Sequence, residues 1–337
     1  MLIEAKDKNA WNQFILTQPH APFTQSWEWG EFQKNADRKI WRLVVTSESN
    51  EFCGIVQAIQ YPLPLGKSFL YVPRGPIVKK DSSRIISEII HHIKLLAKKE
   101  GAIFARIDSL TDKKMGLQPA PAEAYRSAIT QPKTEWMVDI SQTEEDLLKA
   151  MHEKTRYNIR LSQKKGVVTQ FFTGTELKKQ LNDFLMLLGE TAVRDQFYLH
   201  PVRHYETLIQ AFHEHVELVT AKFQGKTLAT GLILFFGDTA TYLYGGSSSE
   251  NRNLMAPYAM HWEAIKRAKG RGLVSPKLGE GGCRYYSFGG INDTDLAGVT
   301  RFKQGFGGEA VDFPGSFDMI VNPMWYWLYN TTRRLRR

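Results

Sequence analysis

Short runs in which β-branched and aromatic residues alternate with polar ones occupy 41–46, 52–60 and 68–73, separated by Ser/Asn/Glu and Pro/Leu/Gly turns. The period-2 pattern predicts a meander of three strands. The period then changes: Ile85, Ile86, Ile89, Ile90, Ile93, Leu96 and Ala97 fall on one helical face after an Asp81-Ser82-Ser83 cap, Gly101 stops the run, and a strand at 103–108 follows. The same order returns about 175 residues later: strands at 217–223, 227–236 and 241–245, a helix at 257–269 and a strand at 285–288, with a Gln224-Gly225 hairpin turn. A β-β-β-α-β succession is therefore expected twice.

Between the two copies, Ser141 and Glu144 fit a capping box that opens a long polar helix over 144–165, which marks the expected domain boundary. Its cations, Lys149, Lys154, Arg156, Arg160, Lys164 and Lys165, suit either a solvated face or a phosphate-binding surface. Further helices are expected at 175–190 and 202–215. Pro323 starts an aromatic helix at 325–335 that ends in Arg333, Arg334, Arg336 and Arg337, where basic residues suit the helix dipole.

A length of 337 residues exceeds the usual single core, so two domains are expected. The 44 basic and 35 acidic side chains leave a net charge of +9, which favours an anionic partner: nucleic acid, a phosphorylated substrate or an anionic membrane surface. Cys53 and Cys283 are too few and too far apart for a disulfide framework or a closed zinc site. With no run of about 18 apolar residues and no leader pattern, the expectation is a cytoplasmic protein.

The chemistry narrows by elimination. There is no HExxH pattern, no GxSxG elbow and no Walker loop, so neither a metal nor a cofactor is expected. Arg267-Ala268-Lys269-Gly270-Arg271-Gly272 has the letters of a coenzyme A pyrophosphate loop, but its glycines end a helix and would aim carbonyls at the phosphates. Asp108 closes a strand, where a carboxylate could orient or deprotonate an amine or simply cap a turn. Tyr242 and Tyr244 alternate along a strand before Gly245-Gly246, which predicts one shared face, lining a cleft or packing in the core. Residues 299–308, Val-Thr-Arg-Phe-Lys-Gln-Gly-Phe-Gly-Gly, set a cation between two phenylalanines in a glycine-rich turn soon after Tyr-Tyr-Ser-Phe-Gly-Gly at 285–290. That pairing is the foremost functional candidate.

Five segments in order, Tyr71-Val72-Pro73-Arg74-Gly75-Pro76, Lys154-Thr155-Arg156-Tyr157-Asn158-Ile159-Arg160, Tyr242-Leu243-Tyr244-Gly245-Gly246-Ser247, Met255-Ala256-Pro257-Tyr258 and Arg301-Phe302-Lys303-Gln304-Gly305-Phe306-Gly307-Gly308, cover nearly the whole chain. Together they resemble the FemABX family of peptidoglycan aminoacyltransferases, which build the peptide bridges of bacterial cell walls. The resemblance implies an α+β fold of two tandem acetyltransferase-like (GNAT-like) domains with mixed sheets flanked by helices and no coenzyme A binding. Residues 1–143 would form the first domain, completed by 315–337, and 144–314 the second. It also implies transfer of an amino acid from aminoacyl-tRNA to the side-chain amine at position 3 of a stem peptide carried on a UDP-linked or lipid-linked muropeptide.

By the same resemblance Lys303 would stabilise the oxyanion or grip the terminal tRNA phosphate, and Phe302 and Phe306 would stack on the terminal adenine or serve as core. Lys34 would contact the acceptor's diphosphate. Tyr242 and Tyr244 would line the peptide or uridine region, Arg203 and Tyr205 would supply further acceptor contacts, and Asp108 would match a strand-end aspartate proposed as a base. Trp325-Tyr326-Trp327 and the terminal arginines suit peripheral contact with the inner membrane, or core packing with dipole compensation. Three departures stand out: Ser287 replaces the family's aspartate before Phe-Gly-Gly, 273–284 reads as an inserted loop, and no heptad hairpin marks a coiled-coil arm. Two rival readings remain, an N-acyltransferase using another acyl donor on a cell-envelope precursor and a non-catalytic basic binding protein of the same fold.

Overall fold

The computed structural model describes residues 2–18, 20–79, 83–110, 117–120, 130–271, 282–292 and 297–335. The chain divides into two compact units, one of residues 1–18, 22–133 and 312–337, the other of 19–21 and 134–311.

The first unit opens with β1 (Leu2–Glu4), α1 (Lys8–Leu16) and α2 (Trp27–Asn35), then a meander of β2 (Ile40–Thr46), β3 (Phe52–Leu63) and β4 (Lys67–Val72), with β5 (Ile77–Val78) added to β3. α3 (Ser83–Lys99) buries Ile86, Ile89, Ile93 and Ala97, the face its 3.6-residue period marks out, and ends before Gly101 at φ +66°. That face packs on Val45, Val56, Leu70 and Val72 of the sheet. The chain then enters β6 (Phe104–Ser109), parallel to β4, and β7 (Gln118–Pro119).

The second unit begins with β8 (Thr134–Asp139), α4 (Glu144–Ala150), α5 (Glu153–Lys164), β9 (Val168–Phe172), α6 (Gly174–Asp195) and α7 (Val202–Phe212). The second meander is β10 (Val216–Phe223), β11 (Lys226–Phe236) and β12 (Thr239–Ser247). Gln224 and Gly225 turn the first hairpin with φ of 48° and 81°, the left-handed pair that a two-residue loop requires. α8 (Ala256–Gly270) crosses to β13 (Tyr285–Gly290), and α9 (Ala297–Gln304) and β14 (Glu309–Asp312) follow. The chain ends in β15 (Gly315–Ile320) and α10 (Pro323–Leu335). Strand order is β1-β2-β3-β4-β6-β15-β7 in the first sheet and β14-β8-β13-β12-β11-β10-β9 in the second. Both units thus hold an antiparallel meander, a helix and a strand returning in parallel, the order read from the sequence.

Four expectations need correction. The boundary falls at 133/134 and not after 143, because β8, invisible as a strand in the sequence reading, pairs with β13. The helix expected over 144–165 is two helices: buried Met151 turns out at ψ 154°, His152 donates its N–H to Gly305 O at 2.9 Å, and Arg156 bonds the last carbonyls of α4. The cap of α4 is Thr143, whose hydroxyl takes the N–H of Asp146, while Ser141 bonds Asp139. Residues 299–304, expected within a turn, are helical in α9, and the turn begins at Gly305. Most of the expected inserted loop, 273–281, lies outside the described residues.

The C-terminal strand is held by charge as well as by ladder bonds. Arg106 of β6 makes two bonds to Asp318 of β15, 2.8 and 2.7 Å, with both side chains buried, and Tyr326 of α10 donates to the same carboxylate at 2.8 Å. Removing one partner leaves an uncompensated buried ion. Asp318→Ala should therefore lower the stability of the protein by roughly 3–5 kcal/mol in urea unfolding, and a loss below about 1 kcal/mol would show that the pair is not holding the sheet.

Candidate active site

In the second unit β12 and β13 run in parallel for three residue pairs, Thr239–Thr241 against Tyr285–Ser287. Past that point the pairing stops, and α8, the helix that links the two strands, packs His261 against Tyr242 and Phe288. The imidazole lies 4.6 Å from the Tyr242 ring, 4.9 Å from Phe288 and 5.5 Å from Phe302, and its Nδ1 is 3.0 Å from the Tyr286 hydroxyl. Burial with the nearby charge of Lys303 pushes the His261 pKa down to about 3, so the ring is neutral across the physiological range.

α9 delivers the cation. Thr300 is buried and exchanges bonds with the backbone of Asn292, 2.6 Å to its carbonyl and 3.2 Å from its N–H, so the helix starts in a set place relative to the end of β13. One turn on, Lys303 is half-buried and donates from Nζ to Gly290 O at 2.5 Å. Burial pulls its pKa down to about 8, and the carboxylate of Glu135 works the other way. The ammonium thus holds its proton weakly for a lysine, in a setting where charge is poorly screened.

The glycines after Lys303 let backbone meet backbone. A Cβ on Gly305 would stand 2.4 Å from Thr155 Oγ1 of α5, and one on Gly308, at φ +92°, 2.1 Å from Met137 O of β8. Gly307 O accepts the Trp136 indole N–H at 2.7 Å, and Phe306 is buried at 5.1 Å from Phe288. The Lys154–Arg160 and Arg301–Gly308 segments, far apart in sequence, are two sides of one contact.

Ser287 donates to Glu135 Oε2 at 3.1 Å and accepts the N–H of Gly289 at 3.0 Å. A carboxylate, that of Glu135 on the adjacent strand β8, thus lies beside position 287. Neither Glu135 nor His261 was singled out in the sequence. The alternation of Trp136 and Val138 could have revealed β8, but nothing local marks His261, whose partners arrive from 286, 288 and 302.

Tyr242 and Tyr244 do not share a face. A bulge between Leu232 and Ile233 pairs them with Tyr244 and Tyr242, respectively, and breaks the alternation. Tyr242 turns to His261; its ring lies against Gly231 and Gly245, where a Cβ would come within 2.6 and 2.0 Å of it. Tyr244 instead meets Tyr205 at 5.2 Å, and its hydroxyl bonds His204 Nε2 at 2.9 Å. Tyr205, expected to touch a substrate, is buried against Phe184, and its hydroxyl takes the N–H of His200. Arg203 is exposed on the first turn of α7.

Lys34 and Asp108 belong to the first unit. Lys34, exposed on the last turn of α2, pairs with Glu31 at 3.2 Å. Asp108 is 2% exposed and accepts from the Tyr71 hydroxyl, the Ser316 hydroxyl and, at 3.2 Å, the N–H of Gln131. Desolvation raises its pKa, opposed chiefly by the Ser316 and Tyr71 bonds. Its oxygens are occupied by protein donors, the arrangement of an anchor and not of an open base. In the Arg267–Arg271 segment both arginines bond Glu217, and Gly270 ends α8.

A family model described as the FemAB family matches residues 7–115, 113–226 and 222–334. A lipid II:glycine glycyltransferase of Staphylococcus epidermidis is 20% identical over 96% of this chain and 94% of its own length. The crystal structure of FemX superposes with a TM-score of 0.79 at 21% identity, covering 97% of this chain and 99% of that one. A tandem GNAT protein from the clavulanic acid biosynthesis pathway gives 0.52 at 11% identity, covering 95% and 98%. At such identities the structural likeness concerns the fold, two GNAT-like units in tandem. The family match runs almost from end to end, and this protein is a transferase of the FemAB family.

Proposed function

We propose that this protein moves an amino acid from aminoacyl-tRNA to the side-chain amine at position 3 of a peptidoglycan precursor stem peptide, on the cytoplasmic side of the membrane. The observation that carries the reading is the weakly protonated, half-buried Lys303 beside a neutral histidine in an aromatic cluster. Relatives named for glycyl transfer to lipid II over nearly their whole length support the lipid-linked form of the acceptor. Both substrates are anionic, which suits the charge of +9.

The acceptor amine attacks the ester carbonyl in its neutral form. As the C–N bond forms, negative charge gathers on the carbonyl oxygen, and the Lys303 ammonium donates a hydrogen bond to it. The C–O bond to the tRNA ribose then breaks, and the proton lost by the amine leaves on the departing ribose hydroxyl. His261, being neutral, adds no competing cation. Phe302, half-buried, offers a face for the terminal adenine, whereas Phe306 is core. Tyr242 packs against His261. Lys34, an exposed cation of the first unit, serves the acceptor's diphosphate, and Arg203, exposed on α7, is kept for a different acceptor contact. Asp108 acts by holding Tyr71 and the C-terminal strand, and Tyr205 by holding the 197–201 turn through His200.

Transfer from an acyl-coenzyme A is the rival chemistry. It is disfavoured because the glycine-containing segment sits at the carbonyl end of α8 and its arginines are engaged by Glu217. Calorimetry with acetyl-coenzyme A should register no binding; a clear isotherm would favour the rival.

Lys303→Met should slow single-turnover transfer from charged tRNA to muropeptide by roughly 10²–10³-fold, the usual cost of removing one oxyanion donor, while unchanged transfer would remove Lys303 from the chemistry. The cation is the active form, so the wild-type rate should fall as pH rises through about 8. Lys303→Arg, which keeps its charge, should abolish that basic limb; a limb that persists would belong to another group.

The same shift has a sign for stability. A folded pKa of about 8 against an unfolded 10.5 means that the buried ammonium costs stability in full below pH 8, a cost relieved as pH rises from 8 towards 10.5. Lys303→Met should accordingly stabilise the protein by roughly 1–3 kcal/mol at neutral pH, with the gain fading in alkali. Destabilisation by this variant at pH 7, measured by denaturant unfolding, would show that the lysine is placed for packing.

A further inference from the structure

The last 19 residues, 319–337, contain four arginines, no acidic residue and a cluster of aromatics. The structure sorts those aromatics onto two faces of α10. Trp325, Tyr326 and Tyr329 turn inward onto the cluster of Ile59, Tyr61, Phe69 and Phe104, with Tyr326 5.3 Å from Phe104. Met324, Trp327 and Leu328, spaced i, i+3, i+4, face outward and are exposed by 68%, 66% and 38%. The helix needed one apolar face to pack and carries two.

The β3–β4 hairpin continues this surface. Lys67 stacks its ammonium 4.6 Å over the Trp325 ring, which fixes the hairpin beside the first turn of α10. Its tip residue Leu65 is 77% exposed at φ +60°. Cations frame the patch: Lys67 at one end, and at the other Arg333, whose guanidinium donates to the Tyr329 hydroxyl at 2.7 Å. The sequence adds Arg334, Arg336 and Arg337 beyond it.

We infer that the outer face of α10, with Leu65, docks the protein on the surface of an anionic lipid bilayer, Met324, Trp327 and Leu328 entering the headgroup–acyl boundary while Arg333 and Lys67 meet lipid phosphates. A protein partner would be expected to present hydrogen-bonding groups to this face. A bilayer matches what is there, an exposed apolar stripe that carries an indole, bordered by Arg333 and Lys67, in a stretch of sequence from 319 on with no acidic residue. The inference stands on this surface alone and not on the transfer reaction, although docking would bring a transferase to a lipid-linked acceptor.

The full-length protein should sediment with vesicles of phosphatidylcholine mixed with phosphatidylglycerol and not with vesicles of phosphatidylcholine alone, and added salt should weaken the binding. Trp327→Glu and Leu65→Glu, both at exposed positions, should each weaken it about tenfold with unchanged circular dichroism and unchanged turnover of a soluble UDP-linked muropeptide. No binding to the mixed vesicles, equal binding to both kinds, or binding indifferent to Trp327→Glu would overturn the proposal. So would sedimentation velocity showing a dimer that Trp327→Glu dissolves, since the occupant would then be a second copy of the chain. Vesicle binding is read without any transfer step, so loss of docking and failure of the proposed reaction are separate results.

Discussion

The candidate site depends on a close approach that only glycine allows: the backbone of 305–308 pressed against α5 and β8. Because a Cβ at Gly305 or Gly308 would fall inside van der Waals range of Thr155 or Met137, the turn can approach until its carbonyls meet His152 and Trp136. The end of α9 is thereby anchored, and Lys303 lies within one turn of that anchor. In the proposed transfer a cation is useful only where the charge it meets will appear, and preorganisation of this kind removes the reorganisation that water would demand. The broken α4–α5 helix makes sense in the same light. Met151 and His152 leave the helical path to provide the surface on which the glycine turn lies.

Around that anchor the chain tolerates unfavourable electrostatics. A lysine is kept partly dry with a backbone carbonyl as an acceptor, and a histidine beside it is held neutral by a pKa far below its usual value. Neither arrangement serves stability, and the rest of the core has to offset both. The second hydrophobic cluster, built on α8, β11 and β13, surrounds them with aliphatic and aromatic side chains. Ser287 and Glu135 join β13 to β8 through one side-chain hydrogen bond beside this pair.

The sequence disclosed the repetitive parts of this architecture and concealed the singular ones. The Ile85–Ala97 face and the two meanders announce themselves because one period runs through many residues, and local rules suffice. The helix break at Met151 is invisible locally, since its cause is a carbonyl at Gly305 more than a hundred positions away. The two tyrosines of β12 mislead for a comparable reason. Strict alternation puts Tyr242 and Tyr244 on one face, whereas a bulge opposite Leu232 and Ile233, set by packing of Tyr242 over Gly231 and Gly245, sends them to different neighbours. Lys303 was legible from its Phe/Gly surroundings, but His261 and Glu135 were not, because each acquires meaning only from partners on other strands.

The Arg106–Asp318 pair joins residues separated by 212 positions. At ribosomal speeds of roughly 5–20 residues per second, Arg106 leaves the exit tunnel on the order of 10–40 s before its carboxylate exists. Throughout that interval β6 is an open edge with a stranded guanidinium, while the whole intervening unit is translated. A nascent chain of this protein therefore lacks a partner strand for β6 until β15 is made, and a product truncated between the two carries that strand bare.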